Sequence, residues 1–210
     1  MTYVNNDFSD IISNRRSIRE FDPEVKISNE EMKQIINDTV KAPSSVNMQP
    51  WRFVVIESAE GKEKLRPLIR FNQLQNDTSA AMIVILGDLE HFENAHRIFD
   101  EAITRGLMPQ ERKDEQMAKL EPLYKVIPQS EKKRIAMIDG SLAAMQLMLT
   151  ARAYGYDTNP IGGFEREEVL DTFGFDKDRY EAIMVVSIGK AVGKGHESYR
   201  LPAEEITFWK

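Results

Sequence analysis

The segment SEKKRIAMIDGSLAAMQLMLTARAY, from Ser130 to Tyr154, carries the longest helical pattern in this chain and is apolar on almost every side. A helix without a polar face is normally buried. Gly155 follows it as a typical C-terminal cap. In its middle, the small residues from Gly140 to Ala144 would allow another helix to approach closely. The sequence therefore predicts a central helix with more apolar surface than a single 210-residue domain needs to cover.

Outward from this helix, helical and extended patterns are mixed without strict alternation. Strands are predicted at Trp51–Glu57, Ala80–Leu86 and Ala182–Ile188, where apolar, β-branched and aromatic residues run together. Shorter helices are predicted at Phe8–Arg16, from the capping residue Ser28 to Pro43, and at Glu165–Phe173. The mixture favours the α+β class over a doubly wound α/β fold. No repeat or flexible linker divides residues 1–210, which indicates a single domain.

The segment from His91 to Tyr124 differs from the rest because it is polar throughout. Its pattern is helical, with an interruption from Gly106 to Pro109. Such a segment is typical of a surface excursion or of a lid over a binding site.

The composition excludes several classes of function. A net charge of −6 argues against nucleic-acid binding, which requires a basic face. The apolar runs are too short to cross a bilayer, and the N-terminus lacks the pattern of a signal peptide. The chain has no cysteine and only three histidines, so disulfides and thiolate sites are excluded and a zinc site is not expected. We expect a cytoplasmic protein without a metal, a nucleic-acid partner or a membrane anchor.

The first cluster of chemically capable residues is RRSIR, from Arg15 to Arg19. In an extended segment Arg15, Ser17 and Arg19 share one face, and in a helix Arg15 and Arg19 do so. Two guanidinium groups and a hydroxyl can then converge on a phosphate. The alternative is a solvated basic turn that pairs with Asp22 or Glu24.

The second cluster is PSSVNMQPW, from Pro43 to Trp51. Its two prolines restrict the backbone, and between them lie two hydroxyls and two amides that could bond the polar edge of a ring. The alternative is a plain connection between a helix and a strand.

The third cluster is NPIGGF, from Asn159 to Phe164. Adjacent glycines permit unusual φ angles and let a ligand approach the backbone. A helix that begins near Glu165 would also present free N–H groups. The alternative is a simple glycine turn.

Together these clusters resemble the FMN-dependent nitroreductase family over nearly the whole chain. RRSIR, PSSVNMQPW and PIGGF occur in the family's order and at similar distances, and GK at Gly189–Lys190 followed by RLP at Arg200–Pro202 is also similar. The resemblance implies a nitroreductase-like α+β fold, with a central mixed sheet flanked by helices, in an intertwined homodimer. It also implies FMN as the cofactor and NAD(P)H as the electron donor.

The resemblance assigns the phosphate end and the partner's contribution. It implies that the FMN phosphate is held by Arg15, Arg16, Ser17 and Arg200, and that Arg19 lies at the pyrimidine edge of the ring. Because the flavin lies in the dimer interface, the partner subunit would supply the cofactor-binding residues Pro43, Ser44, Ser45, Asn47 and Gln49.

The resemblance also implies contacts beyond the phosphate. Asn72, with Gln73 or Gln75, would contact the ring or the ribityl chain, and Ile161, Gly162 and Gly163 would cover one face of the ring. Pro160 and Lys190 are the other predicted cofactor-binding residues. A backbone N–H of Gly162 or Gly163 would lie near flavin N5. No side chain is predicted to act as a general acid or base, and Arg19 would act electrostatically on the reduced ring.

The chain departs from some relatives in three positions. Ser198 stands where they have a lysine, glutamines rather than a lysine follow Asn72, and Gly162 stands where they have a glutamate. Arg19 is therefore the main cation expected near the ring.

The resemblance implies ping-pong turnover, in which hydride enters at flavin N5 and the electrons leave to a nitro compound, a quinone or a similar small acceptor. The alternatives are a specialised enzyme of the same fold (a dehalogenase, a semialdehyde or enoate reductase, or an enzyme of flavin breakdown) and a flavin-storage or sensing protein with little turnover.

Overall fold

The computed structural model describes residues 3–210. Its helices are α1 (Phe8–Asn14), α2 (Asn29–Thr39), α3 (Ala59–Leu65), α4 (Gln73–Thr78), α5 (Ala95–Thr104), α6 (Gln110–Val126), α7 (Gln129–Ala153), α8 (Arg166–Thr172) and α9 (Ala203–Ile206). Its strands are β1 (Trp51–Ile56), β2 (Ala81–Asp88), β3 (Asp157–Ile161) and β4 (Tyr180–Gly189). Short 3₁₀ turns occur at Ser45–Asn47, Arg66–Leu68 and His91–Asn94.

The four strands form one sheet in the order β1-β2-β4-β3, and every strand pair is antiparallel. The α+β class is confirmed. The mixed character expected of the sheet is limited, in the described part of the chain, to an isolated parallel bridge between Ser17 and Thr158. Strand β3 was not predicted, and its Pro160 is tolerated because β3 lies at the edge of the sheet.

Strand β2 is buried along its whole length because helices cover both faces of the sheet. Ile83 and Ile85 point toward α2 and α7, whereas Met82 and Val84 lie in the opposite layer with residues of α3 and α8. This alternation explains the continuous apolar run in the sequence.

The predicted helix starts and stops are confirmed where a cap fixes them. The Ser28 hydroxyl accepts a hydrogen bond from the Glu31 N–H at 3.2 Å, and α2 ends at Thr39, before Pro43. The central helix ends at Ala153, and Gly155 takes a left-handed φ of 86°.

The small residues in the middle of α7 serve the protein's own core. A Cβ atom at Gly140 would lie 2.3 Å from Ile183 Cδ1, and Ala143 and Ala144 are buried. Gly140 lets α7 approach β4, and Ala144 shares a core cluster with Ile35 of α2. The approach of a partner's helix at the exposed Ser141 and Leu142 stays a prediction. The exposed apolar residues of α7 form a stripe that includes Leu142 of this stretch and consists of Met137, Ile138, Leu142 and Met145.

The polar segment from His91 to Tyr124 is helical with a break, as predicted. Gly106 ends α5 with a φ of 70°, and α6 begins at Gln110. The inner sides of α5 and α6 pack on the fully buried Met48. Within residues 3–210, no helix is long and apolar enough to span a membrane.

Candidate functional site

The arginine cluster lies in an extended segment that follows α1. Arg15 has extended backbone angles (φ −62°, ψ 126°), and the Ile18 N–H bonds the Thr158 carbonyl at 3.1 Å. Ile18 is buried at 3% exposure. Because side chains alternate in such a segment, Arg15, Ser17 and Arg19 face the other way, as one of the two predicted geometries requires.

These residues line a cavity of about 660 Å³ together with the C-terminal tail. Its charged lining consists of Arg15, Arg16, Arg19, Arg200 and one carboxylate, Glu197. The remaining lining residues are Ile12, Ser13, Ser17, His196 and Ser198. The acidic chain therefore concentrates positive charge at one place, which we call the arginine cavity.

Arg15 shows that this cavity fits an anion. Its Nη1 is buried and has no hydrogen-bond partner among residues 3–210. Burial, followed by repulsion from Arg200 and Arg16, lowers the pKa of Arg15. A dianionic phosphate would supply both the missing acceptor and the missing countercharge. The donor set therefore fits the phosphate of the expected FMN.

Two other arginines of the cavity, Arg16 and Arg200, already donate hydrogen bonds to groups of the protein. Arg16 Nη1 donates to the carbonyls of Ser13 (2.7 Å) and Arg15 (3.1 Å). Arg200 Nη1 donates to the Ser198 hydroxyl at 2.5 Å and to the Tyr199 carbonyl at 3.0 Å. Ser198, where some relatives have a lysine, thus orients Arg200 instead of adding a charge.

The tail reaches the cavity because Gly195 crosses closely over the arginine segment. Gly195 has a φ of 71°, and a Cβ atom there would lie 2.9 Å from both Arg16 Cβ and Ile18 Cδ1. Only glycine fits this crossing. The sequence interpretation did not include His196 and Glu197 in the site, although Gly193 and Gly195 on either side of Lys194 were a signal for such a crossing.

The second cluster forms a tight loop, which we call the 43–50 loop. The Ser44 hydroxyl accepts a hydrogen bond from the Gln49 N–H at 3.0 Å, and Gln49 Nε2 donates to Asn47 Oδ1 at 3.3 Å. The Pro43 and Asn47 side chains are exposed. Ser45 bonds Asp139 of α7, a residue that the sequence interpretation missed. Asp139 is the only charged residue between Arg134 and Arg152, and this was the available signal.

Within one subunit, the arginine cluster and the 43–50 loop do not line the same cavity. The lining of the arginine cavity comes from residues 12–19 and 196–200 and includes nothing from the 43–50 loop. Met48 and Gln49 of this loop instead line a separate groove of about 340 Å³ beside Arg52 and Arg97. The two predicted halves of the site are therefore separate within a single subunit.

The amides near position 72 are tied to each other. Asn72 Nδ2 donates to the Ile69 carbonyl, and the buried Gln75 donates to Asn72 Oδ1, both at 3.0 Å. Gln73 instead donates to the Arg70 carbonyl. Gln75, rather than Gln73, is therefore the amide that holds Asn72.

The third cluster joins an edge strand to an open turn. Pro160 and Ile161 belong to β3, and Phe164 is buried and fixes the far end of the turn. Neither Gly162 nor Gly163 has a positive φ, so the turn does not use the unusual φ angles that glycine permits. A Cβ atom at either glycine would meet nothing within 4 Å. The turn thus offers an exposed backbone to a ligand without backbone strain.

Lys190 lies apart from the arginine cavity. Its Nζ donates to the Gly155 carbonyl at 2.8 Å, at the end of α7. Its ammonium group does not line the arginine cavity. Within residues 3–210 there is also no group of three or more His, Asp or Glu side chains placed to hold a metal ion.

Known sequences resemble this chain over almost its whole length. The model of the nitroreductase family matches residues 12–190. The chain is 53% identical, over 98% of both proteins, to YdgI of Bacillus subtilis strain 168, which carries the name of an NAD(P)H nitroreductase. It is 37% identical to the CLA biosynthesis enone reductase of Lactiplantibacillus plantarum, over 97% of this chain and 94% of the relative.

Solved structures share the fold closely. A crystal structure from Exiguobacterium sibiricum, described as a nitroreductase in complex with FMN, superimposes with a TM-score of 0.96 at 51% identity and full coverage of both chains. A Staphylococcus epidermidis structure described as an NAD(P)H:FMN oxidoreductase gives 0.96 at 45% identity, over 100% of this chain and 98% of that one.

Proposed function

This chain belongs to the nitroreductase family, and from that membership we infer that it is an FMN-dependent oxidoreductase that takes its electrons from NAD(P)H. The observation that carries the inference is the arginine cavity, in which the buried Arg15 Nη1 lacks an acceptor. The relative described in complex with FMN has the same fold at 51% identity.

The chain's own residues hold and tune the cofactor in this proposal. Arg15 and Arg200 bind the phosphate, with Arg16 and Ser17 beside them. Arg19, exposed at the edge of the arginine cavity, faces the pyrimidine edge of the ring and stabilises negative charge there. FMN, when bound, supplies the hydride and electron chemistry, while the protein orients it and excludes competing reactions.

The open turn at Gly162 and Gly163 contributes backbone rather than side chains. With nothing within 4 Å of either position, the ring can lie directly on the main chain and accept a hydrogen bond from an N–H group. No titratable side chain is assigned to proton transfer.

We further propose that the active form is a homodimer with FMN at the interface. The 43–50 loop is missing from the arginine cavity of its own chain, so a second subunit is needed to complete the predicted site. The α7 stripe of Met137, Ile138, Leu142 and Met145 is exposed, as are Tyr199, Leu201, Phe208 and Trp209 of the tail. Large apolar side chains exposed in such number are typical of an obligate interface.

Residues 91–124 form the proposed cover of the site within a single domain spanning residues 1–210. Their helices pack on Met48 of the 43–50 loop, so they lie next to a predicted cofactor contact. A change in this segment would then alter which small acceptor enters, whether a nitro compound, a quinone or an enone. We place the protein in the cytoplasm, where NAD(P)H is available.

The test is spectroscopic. The purified protein should be yellow, and NADH or NADPH should bleach it under nitrogen. Anaerobic addition of nitro, quinone and enone acceptors to the bleached protein should restore the colour and rank the acceptors. Protein that binds FMN but never bleaches would indicate storage, and protein that takes up no FMN would refute the proposal.

A further inference from the structure

The middle of α7 carries a buried acid directly against the 43–50 loop. Asp139 is 2% exposed, and its Oδ2 accepts a hydrogen bond from the Ser45 N–H at 2.9 Å. Its Oδ1 accepts a second bond from the Ser45 hydroxyl at 3.2 Å. Burial raises the pKa of Asp139, and the two Ser45 donors oppose this shift. A buried carboxylate is unfavourable without partners, and Ser45 supplies both hydrogen bonds.

The loop that Asp139 holds has a strained backbone. Val46, Asn47 and Gln49 have φ angles of 45°, 60° and 51°. None of them is glycine, and the left-handed region is particularly unfavourable for the β-branched Val46. Such a conformation persists only where the surroundings impose it.

Three contacts impose this conformation. At the start of the loop, Asp139 fixes Ser45. Across the loop, the Ser44 hydroxyl accepts the Gln49 N–H, and Met48 is fully buried below. The Asp139 contact joins residues 94 positions apart in sequence, so local preference alone does not provide it.

We propose that Asp139 is a positioning residue, which holds the 43–50 loop in the left-handed shape that presents its amides and hydroxyls to the cofactor. Asp139 itself does not touch the cofactor, because Ser45 lies between. This inference rests on the proposed function, since the contact between the loop and FMN belongs to that proposal.

Two substitutions of Asp139 separate the shape of the loop from the charge beneath it. Asp139→Ala removes both acceptors. Asp139→Asn keeps one oxygen to accept the Ser45 N–H, and its amide nitrogen can donate to the Ser45 hydroxyl, so the neutral side chain can still hold the loop. The matched control is Met148→Ala, which also truncates a buried α7 side chain. Met148 belongs to the core cluster that α7 forms with α2 and the sheet, and not to the contacts of the 43–50 loop.

The measurement is the dissociation constant of FMN and of riboflavin for each full-length variant, with thermal unfolding of the FMN-free protein beside it. We expect Asp139→Ala to weaken FMN binding by about tenfold to a hundredfold. Riboflavin binding should weaken by the same factor, because the loop is predicted to contact the ring end and not the phosphate. Asp139→Asn should restore most of the affinity, and Met148→Ala should lower thermal stability while leaving the affinity unchanged.

Three results would overturn the inference. They are wild-type affinity in Asp139→Ala, an equal loss of affinity in Met148→Ala, and a loss in Asp139→Asn as large as that in Asp139→Ala. Failure of the wild-type protein to bind FMN would instead refute the proposed function, so the two failures are distinguishable.

Discussion

Replacing Arg15 by methionine should have opposite effects on the FMN-free protein and on the complex. Arg15→Met keeps an unbranched apolar stem but removes the guanidinium group. In the FMN-free protein this group is partly buried, its Nη1 has no partner, and Arg200 and Arg16 repel it. A lowered pKa for a cation means that folding disfavours the charged form. Since arginine stays charged at neutral pH, that cost is present there, and its removal should stabilise the FMN-free protein.

The complex should lose affinity instead. A hydrogen bond to a charged group contributes about 1.5–3 kcal/mol, so one lost contact to the phosphate should weaken FMN binding by about tenfold to a hundredfold. At an FMN concentration of about 100 times the wild-type Kd, ligand binding stabilises the wild-type protein by about 2.7 kcal/mol. The same concentration would stabilise the variant by about 1.4 kcal/mol after a tenfold loss and by about 0.4 kcal/mol after a hundredfold loss.

The assay is chemical or thermal unfolding with and without FMN, together with a direct FMN titration. Arg112→Met is the matched control, because Arg112 is exposed on α6 and pairs with Glu115 at 3.1 Å, outside the arginine cavity. Unchanged FMN affinity in Arg15→Met would refute the phosphate assignment. A less stable FMN-free variant would refute the electrostatic reasoning, because it would show that Arg15 already has a compensating partner.

Three further outcomes are expected. Arg19→Gln should lower the two-electron potential of bound FMN, by about 30 mV for each 1.4 kcal/mol of lost stabilisation of the reduced ring; spectroelectrochemical titration with no shift would reject that role. Leu142→Asp, in the exposed α7 stripe, should abolish both dimer formation and FMN binding, whereas Leu107→Asp, at the exposed tip between α5 and α6, should leave both intact. Sedimentation read at the protein and flavin wavelengths measures both properties. A yellow monomer would contradict a shared site. Burial lowers the pKa of His91, although Asp88 and Asp139 nearby oppose the shift. As the pH falls below about 6.5, His91 is therefore protonated more readily in the unfolded chain than in the folded protein. Up to about 1.4 kcal/mol of stability should then be lost between about pH 7.5 and 5.5. His91→Gln should reduce this loss in denaturant titrations, and an equal loss in both proteins would show that other groups cause it.

Features that depend on a few neighbouring residues could be predicted from the sequence. The helix start at Ser28 follows from a capping hydrogen bond between residues only three positions apart. The left-handed conformation of Gly155 follows from the backbone freedom of glycine. The buried strand β2 follows from its unbroken apolar run. The arginine cavity was predicted in part, because an extended segment places Arg15, Ser17 and Arg19 on one face.

Features that depend on contacts between residues far apart in the sequence could not be predicted from it. Strand β3 is short and contains Pro160, and it becomes a strand only by pairing with β4. Lys190 stands in a family-like position but bonds the Gly155 carbonyl, at the end of a helix far away in sequence. The small residues at Gly140–Ala144 could have faced a second helix or the sheet, and only the tertiary structure shows that Gly140 lies against Ile183 of β4.

The sequence by itself thus determined the α+β class, the ends of its capped helices and the residues able to bind a phosphate. All of these follow from interactions within a few residues along the chain. The tertiary structure alone decided which arginine is left without an acceptor, and that Asp139 holds Ser45 across 94 positions. The physical reason is that burial and hydrogen-bond partnership are properties of neighbours in space, and these exist only after α7 has packed against the sheet.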